Sequence, residues 1–332
     1  MVYICLILLY CLLAFSINLK YGNEVSFSSG VFILLSLFFL ALIVARPSYF
    51  PDYKNYFSFY AGDAGERFEP AAKIIKKISP SFYIFLLFFG ICGFCVKMVA
   101  IKQNTIYHNL VLFTYLSTTF ILHDLIQIRA SCAIAIFLFS LKYLIQKNYA
   151  KYYLLIFFST LFHYSAVLFL FVPILCMSNK ISVKIWILII LFSYVLYFLH
   201  LDFISLAMII IPKNTYIFQT LNFFAGKRVN VFNIGQIVKI IIFLYFLFHN
   251  EELDEVGLLS LKLLGISVVL FPLLASISVL SFRVSELFGS SIIFLLPQSV
   301  NMNGNKKNNL IVFVLLCFSL FIINNIYSRY IL

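Results

Sequence analysis

The sequence predicts an all-α, polytopic integral membrane protein, and three observations lead to that prediction. Hydrophobic residues make up 63% of the 332-residue chain and charged residues only 11%, a composition far outside that of soluble globular domains. The mean hydropathy is +1.04. Apolar runs close to the roughly 20 residues that cross a bilayer as one helix recur along the whole chain.

The few ionisable and sulfur-containing residues exclude several classes of function. Lysine and arginine exceed aspartate and glutamate by 12, and in a membrane protein such an excess reports loop orientation, so nucleic acid is not an expected partner. The 7 cysteines fall in apolar runs and are expected to be packed side chains. Cys92 and Cys95 form a C-x-x-C without a partner pair for a metal. We expect no metal and no cofactor, because arginines of the chain can supply the positive charge that a divalent ion supplies elsewhere and no pair of acids has clear ligand spacing.

The apolar runs predict about twelve spans in a single transmembrane domain over residues 1–332, with both termini outside and no internal repeat. The predicted spans are 2–17, 31–45, 82–101, 110–122, 126–145, 152–175, 183–200, 203–211, 232–248, 258–280, 284–296 and 310–326. Run 152–175 is either one long span or two half-helices that meet near His163. Run 203–211 is short and is predicted to be tilted or re-entrant.

Loop charges predict which side of the membrane each loop faces. The lysines assigned to cytoplasmic loops by the positive-inside rule are Lys97, Lys102, Lys142, Lys147 and Lys151. The hairpin between these loops is predicted to turn at residues 123–125. The polar loop 46–81, the second loop 212–231 and the face that carries Gln127 and Arg129 are then extracytoplasmic.

The polar loop 46–81 concentrates charge between two apolar regions. It carries Arg46, Asp52 and Glu69, and its prolines interrupt any long helix. Residues 70–78 fit a short amphipathic helix that lies on the membrane surface. We expect this loop to supply acids to the outer face.

Three polar residues adjoin or interrupt apolar runs: Gln127, Arg129 and His163. Polar side chains are costly to place in a membrane, so each of them calls for a functional or structural explanation. An arginine costs roughly 2.5–3.5 kcal/mol at the centre of an inserted helix, so its default interpretation is functional. Arg228 and Arg283 are predicted to share the outer face, with Arg283 and Glu286 opening a helix there. Arginine binds phosphate oxygens bidentately and stays charged, which suits a departing lipid-linked pyrophosphate. A nearby carboxylate or imidazole would act as general base, worth roughly 100- to 10,000-fold in rate.

Structural roles remain open for the same residues. Arg129 would otherwise form a salt bridge to Asp124, and Arg283 would pair with Glu286 at i, i+3 spacing, worth roughly 0.2–0.5 kcal/mol. His163 would otherwise bond a backbone carbonyl that a helix break leaves free. The sequence leaves these alternatives open.

The order of these motifs resembles that of the EpsG family, which groups with Wzy-type polymerases of bacterial surface polysaccharides. The matching motifs, in chain order, are Pro51-Asp52-Tyr53, Glu69, Gln127-x-Arg129, His163-x-Ser165 and Arg283. The first motif lies in RPSYFPDYKNY, which lacks the glycine that such loops often carry before the aspartate. The resemblance covers most of the chain and is strongest from Arg46 to Pro173.

The resemblance implies a glycosyltransferase of the bacterial plasma (inner) membrane, for which we expect metal-independent chemistry and a GT-C-like arrangement of helices. Such an enzyme transfers a growing O-antigen, capsule or exopolysaccharide chain from undecaprenyl pyrophosphate to an incoming lipid-linked repeat unit. Its expected partners are the undecaprenyl-pyrophosphate-linked oligosaccharide, membrane lipid and, as a candidate, a chain-length regulator protein. Rival functions are a flippase for the same lipid-linked sugar, and an acyltransferase or ligase that acts on the same glycan.

The resulting hypothesis divides the candidate residues into two groups. The residues expected to bind the pyrophosphate and glycan are Arg129, Arg283, Gln127, Arg228 and Arg46. Among the catalytic candidates, Asp52 or Glu69 takes the proton from the acceptor hydroxyl, and His163 orients a substrate.

Overall fold

The computed structural model describes residues 29–62, 68–175, 181–201, 228–302 and 306–327, and within these ranges every regular element is helical. This is the expected result for an apolar chain, because a helix satisfies its own backbone hydrogen bonds where no water is present. The predicted all-α class is therefore confirmed. The predicted spans 2–17 and 203–211, and most of the predicted loop 212–231, lie outside the described residues.

The helices of the first half begin with α1 and continue to α7 in chain order. Their bounds are α1 Ser29–Val44, α2 Tyr53–Ala61, α3 Pro70–Ile78, α4 Phe82–Asn104, α5 His108–Thr118, α6 Ile128–Ile145 and α7 Tyr149–Phe162. A π-helical turn, Ile121–Ile126, joins α5 to α6, and a second, Ile91–Cys95, lies inside α4. A 3-10 helix, Tyr164–Phe171, follows α7.

The second half continues with α8 to α12. Their bounds are α8 Val183–Phe198, α9 Ile234–Phe248, α10 Glu255–Leu273, α11 Ser278–Gly289 and α12 Lys306–Phe321. Shorter helical turns are Val172–Leu175, Asn250–Glu252, Ile292–Leu295, Leu296–Asn301 and Ile322–Tyr327.

Five helical stretches among the described residues are long and apolar enough to cross a membrane. They are Phe82–Asn104, Ile128–Ile145, Glu255–Leu273, Ser278–Asn301 and Lys306–Asn324. Shorter apolar helices are Tyr164–Ile174, Val183–Phe198 and Ile234–Phe248. The protein is therefore a membrane protein by the length and composition of its helices.

The described chain forms two compact units: one runs to Ile174 and resumes at Ile293, and the other is Leu175–Ile292. In the first unit, a cluster of buried side chains packs α2 and α3 against α4 and the start of α6. Its members are Tyr56, Phe59, Ala72, Ile75, Phe82, Phe85, Leu86, Phe89, Ile128 and Cys132. The polar segment after α1 is thereby held against the membrane helices.

In the second unit, α10 is joined to its neighbours by buried side-chain hydrogen bonds. Gln236 of α9 donates to the carbonyl of Val268 at 3.0 Å, and Ser281 of α11 donates to that of Phe271 at 2.7 Å. Those two neighbours, α9 and α11, are also joined directly by a partly buried bond, in which Lys239 of α9 donates to Ser285 of α11 at 2.8 Å. These contacts satisfy polar groups that would be costly to bury alone.

Three sequence-based predictions are wrong in detail. Lys97 does not lie in a loop: α4 continues to Asn104, and Lys97 is buried within it. Residues 123–125, predicted as the short turn of a helical hairpin, instead belong to the buried π-helical turn Ile121–Ile126. Both errors have one cause, since Lys97 and Asp124 neutralise each other in the protein interior. Arg283 does not open a helix, because α10 ends at Leu273 and α11 already begins at Ser278.

Candidate functional site

Arg46, two residues after the end of α1, begins the polar segment and has a buried side chain. Its side chain is only 4% exposed, and its Nη1 donates to the carbonyl of Leu125 at 3.2 Å. Its guanidinium carbon lies 6.0 Å from the ring centroid of Tyr53 and 5.6 Å from that of Tyr56. Burial lowers the pKa of Arg46 to about 10, opposed by Tyr56, Tyr53 and Asp52. Arg46 is thus a buried cation at neutral pH.

Arg129 lies in the first turn of α6 and approaches one of the same aromatic side chains, Tyr56. Its Nη1 pairs with Oε2 of Glu69, and its guanidinium hydrogen-bonds the side chain of Tyr56. The guanidinium carbon lies 4.4 Å from the ring centroid of Phe68 and 5.8 Å from that of Tyr56. A face-on aromatic ring stabilises a cation through its quadrupole.

Tyr56 therefore lies beside both arginines, and sequence reasoning missed it. The guanidinium carbon of Arg46 lies 5.6 Å from its ring centroid and that of Arg129 lies 5.8 Å from the same point, so one ring contacts both cations. Burial raises the pKa of Tyr56 despite the opposing charge of Arg129, so the phenol stays neutral. The spacing of Tyr53 and Tyr56 at i, i+3 after Asp52 was the available signal, because it puts both rings on one face of α2.

Glu69 connects Arg129 to His163. It immediately precedes Pro70, the first residue of α3, and its backbone is extended. Oε2 accepts from Arg129, and Oε1 lies 2.9 Å from Nδ1 of His163. Burial alone would raise the pKa of Glu69, but the hydrogen bond from His163 and the charge of Arg129 outweigh it, and the pKa is lowered. Glu69 is therefore ionised at neutral pH.

The backbone at His163 explains how its ring reaches Glu69. His163 is extended, with φ −154° and ψ 118°, between α7 and the 3-10 helix Tyr164–Phe171. Of the two predicted alternatives for run 152–175, two half-helices meeting near His163 is thus confirmed. An ionised carboxylate only accepts hydrogen bonds, so Nδ1 carries a proton, and in the neutral form of the ring Nε2 is then the acceptor.

Several polar atoms of this site are buried without a hydrogen-bond partner among the described residues. They are Nε and Nη2 of Arg46, Nε of Arg129 and Oγ of Ser165. Leaving such a group unsatisfied costs about 1–3 kcal/mol, and more when it is charged. An anion with several oxygens would satisfy the two guanidiniums.

Asp52 and Gln127 lie beside this cluster at helix starts. Asp52 precedes α2, and its Oδ1 accepts from Asn55 at 3.3 Å; its charge acts on Arg46. Gln127 precedes α6 and is partly buried.

We name the set Arg46, Tyr56, Glu69, Arg129 and His163 the arginine cluster.

Arg228 and Arg283 belong to the second unit. Nη2 of Arg228 donates to the carbonyl of Tyr197 at 3.0 Å, and Nη1 bonds Nδ1 of His200. Arg283 is exposed on α11. The convergence of these two arginines with Arg129 remains a prediction.

The structure also decides two of the alternative structural roles. The partner of Arg129 is Glu69 and not Asp124, whose carboxylate is bound by Lys97. His163 bonds a carboxylate rather than a freed backbone carbonyl through Nδ1.

Comparisons with known proteins agree with the motif order. No curated protein and no solved structure matches the chain. Residues 30–331, nearly the whole sequence, match the sequence model of the EpsG family, whose proteins are Wzy-like polymerases. The chain belongs to the EpsG family, as the order of its motifs predicted.

Proposed function

We propose that this protein polymerises a bacterial surface polysaccharide by moving the growing glycan from undecaprenyl pyrophosphate to a sugar hydroxyl of an incoming lipid-linked repeat unit. Membership of the EpsG family supports a polysaccharide polymerase in general terms. The observation that carries the specific reaction is that Arg46 and Arg129 flank the same Tyr56 ring and each keep a buried N–H without a partner among the described residues, while Arg129 also contacts the Glu69–His163 pair.

In this proposal the two guanidiniums bind the leaving diphosphate. Its charge grows as the glycosidic bond breaks, so fixed cations stabilise the transition state more than the bound substrate. Arginine suits this role because its planar fork offers several donors to phosphate oxygens. Arg228, Arg283 and Gln127 are proposed as further contacts to the same substrate.

The general base in this proposal is His163. Both carboxylate oxygens of Glu69 are already engaged, by Arg129 and His163, and its lowered pKa makes it a weak base. Glu69 instead fixes the imidazole through Nδ1, which leaves Nε2 of the neutral ring as the acceptor, a carboxylate–imidazole arrangement used by many hydrolases. This assignment differs from the sequence-based hypothesis, in which Asp52 or Glu69 takes the proton and His163 orients a substrate. Asp52, whose negative charge favours the protonated form of Arg46, is the alternative base.

The step balances without a further reactant. The acceptor oxygen forms a bond to the anomeric carbon of the donor glycan. The bond from that carbon to the pyrophosphate oxygen breaks, and its electron pair leaves with the undecaprenyl pyrophosphate. The hydroxyl proton passes to Nε2 of His163.

The proposed setting is the bacterial plasma membrane, with about twelve spans in a GT-C-like arrangement and the arginine cluster on the outer side. The long and short apolar helices of the described residues support many crossings. The lysines near residues 142–151 support this orientation through the positive-inside rule.

The test is polymerisation by purified protein in lipid nanodiscs supplied with undecaprenyl-pyrophosphate-linked repeat units, with products separated by chain length. Arg129→Ala should lower the rate of linkage formation about 10- to 150-fold, the equivalent of a lost charged hydrogen bond. The matched control is Lys73→Ala, which removes an exposed cation of α3 from the same polar segment.

Two results would contradict the proposal. Wild-type protein that leaves the repeat units unlinked, but moves them across a vesicle membrane, would indicate the flippase. Equal loss of rate in Arg129→Ala and Lys73→Ala would remove the arginine cluster from the mechanism.

A further inference from the structure

A buried ion pair lies close to the arginine cluster in the first unit. Nζ of Lys97 in α4 is 2.9 Å from Oδ1 and 2.8 Å from Oδ2 of Asp124, and the two side chains are 1% and 2% exposed. Removing both charges from water is expensive, and an apolar pair of similar volume is often as stable. Ionisable residues inside membrane helices usually serve a function.

Two hydroxyl groups complete the coordination of this pair. Ser131 of α6 donates to Oδ1 of Asp124 at 2.6 Å, and Tyr115 of α5 donates to Oδ2 at 2.6 Å. Lys97 also donates to Oγ of Ser131 at 2.6 Å. The four residues, which we name the lysine–aspartate network, join α4, α5 and α6 to the π-helical turn Ile121–Ile126.

The network fixes the helical turn that carries Arg129. Ser131 is two residues beyond Arg129, and at about 100° per residue the two side chains leave α6 in nearly opposite directions. Binding Ser131 to Lys97 and Asp124 on one side of α6 therefore directs Arg129 to the other side, where Glu69 accepts from it.

The network also fixes the second guanidinium. The residue after Asp124 is Leu125, whose carbonyl accepts from Nη1 of Arg46. One anchored segment, residues 124–131, thus sets the positions of both arginines, although Arg46 and Arg129 lie far apart in sequence.

We propose that the lysine–aspartate network is the positioning element of the diphosphate site. It touches no substrate and acts only by holding residues 124–131 so that Arg46 and Arg129 face the same anion. This inference rests on the proposed function, because it assumes that the two guanidiniums bind a diphosphate.

The experiment measures binding of inorganic pyrophosphate to the purified full chain in detergent, together with thermal unfolding of the same samples. The double variant Lys97→Met/Asp124→Leu removes both charges without leaving one unpaired. It should unfold cooperatively yet bind pyrophosphate about tenfold more weakly or worse. Ser131→Ala keeps the ion pair and removes only the hydrogen bonds that tie α6 to Lys97 and Asp124. It should weaken pyrophosphate binding about threefold or more.

The matched control acts on the same two helices. Nδ2 of Asn104 in α4 donates to the carbonyl of Leu138 in α6 at 3.1 Å. This contact is seven residues beyond Lys97 and Ser131 on their helices, about 10 Å away along the axes. Asn104→Leu should lower the unfolding temperature and leave pyrophosphate affinity unchanged.

The outcomes separate the two proposals. Wild-type protein that does not bind pyrophosphate overturns the diphosphate site and this inference with it. Wild-type binding that both folded network variants retain overturns the positioning role alone. Should the double variant fail to fold, Ser131→Ala decides: unchanged affinity in that variant overturns the inference.

Discussion

The Nδ1 atom of His163 lies 2.9 Å from Oε1 of Glu69, although 94 residues separate the two in sequence. A single interruption makes this contact possible, because α7 ends at Phe162 and His163 adopts an extended backbone. Glu69 occupies an equivalent position, extended just before α3. Two residues at helix ends thus form a carboxylate–imidazole pair next to Arg129.

The first prediction concerns His163 as general base. His163→Gln keeps a side-chain amide that can bond Glu69 but cannot accept the proton during catalysis. We expect turnover to fall roughly 100- to 10,000-fold, with little change in the KM for the lipid-linked donor. The measurement is steady-state polymerisation in nanodiscs. His249→Gln, at the end of α9 in the second unit, is the control and should retain activity. A large rise in donor KM with unchanged kcat would instead make His163 a binding residue.

The second prediction concerns the pH dependence of stability at Glu69. Its pKa in the folded protein lies below the ordinary value of 4.5, so the folded state binds fewer protons than the unfolded chain in this range. Its contribution is fully present above 4.5 and is lost as the pH falls through the folded value.

Thermal unfolding of wild type and Glu69→Gln tests this dependence. The difference in unfolding temperature between wild type and Glu69→Gln should stay constant from about pH 7 to pH 5 and should become smaller at lower pH. Asp52→Asn provides the comparison with another acid of the same segment. A gap that already closes at neutral pH would show that the Glu69 charge does not stabilise the fold.

The third prediction concerns the shape of the Arg46 side chain. Arg46→Lys keeps the charge but loses the planar fork and the Nη1 contact to Leu125. We expect the KM for the donor to rise about tenfold. The control is Lys77→Arg, on the exposed side of α3. A donor KM unchanged by Arg46→Lys would leave Arg46 with a structural role only.

The fourth prediction concerns Gly93, in the π-helical turn of α4. A Cβ there would lie 2.6 Å from Oγ of Ser131 and 3.3 Å from Oδ1 of Asp124. Gly93→Ala should therefore lower the free energy of unfolding by about 1–3 kcal/mol. In the control, Gly235→Ala, the nearest atom is 3.4 Å away, and stability should change by less than about 0.5 kcal/mol. Equal stability of the two variants would refute the close packing.

Much of the helical framework could be predicted from hydrophobic runs. Run 126–145 corresponds to α6 at Ile128–Ile145, and run 183–200 to α8 at Val183–Phe198. The bilayer imposes this agreement, since an apolar run of that length has few other stable conformations. The boundary between α10 and α11 was misplaced because serines and apolar residues alternate there without a charge until Arg283.

The sequence left undecided which charged residues pair with each other. Asp124 is five residues from Arg129 and 27 from Lys97, yet it pairs with Lys97. Sequence spacing predicts contacts only between residues three or four apart on one helix. Lys97 also shows that a lysine in an apolar run need not mark a loop.

The sequence by itself determined that this is a helical membrane protein, which family it belongs to, and that Arg129, Glu69 and His163 are candidates for chemistry. Only the tertiary structure decided that Glu69 joins the other two, that Tyr56 lies beside two arginines, and that Lys97 pairs with Asp124 in the π-helical turn before α6. The reason is physical: composition fixes which segments leave water, whereas the packing of distant helices fixes which buried charges meet.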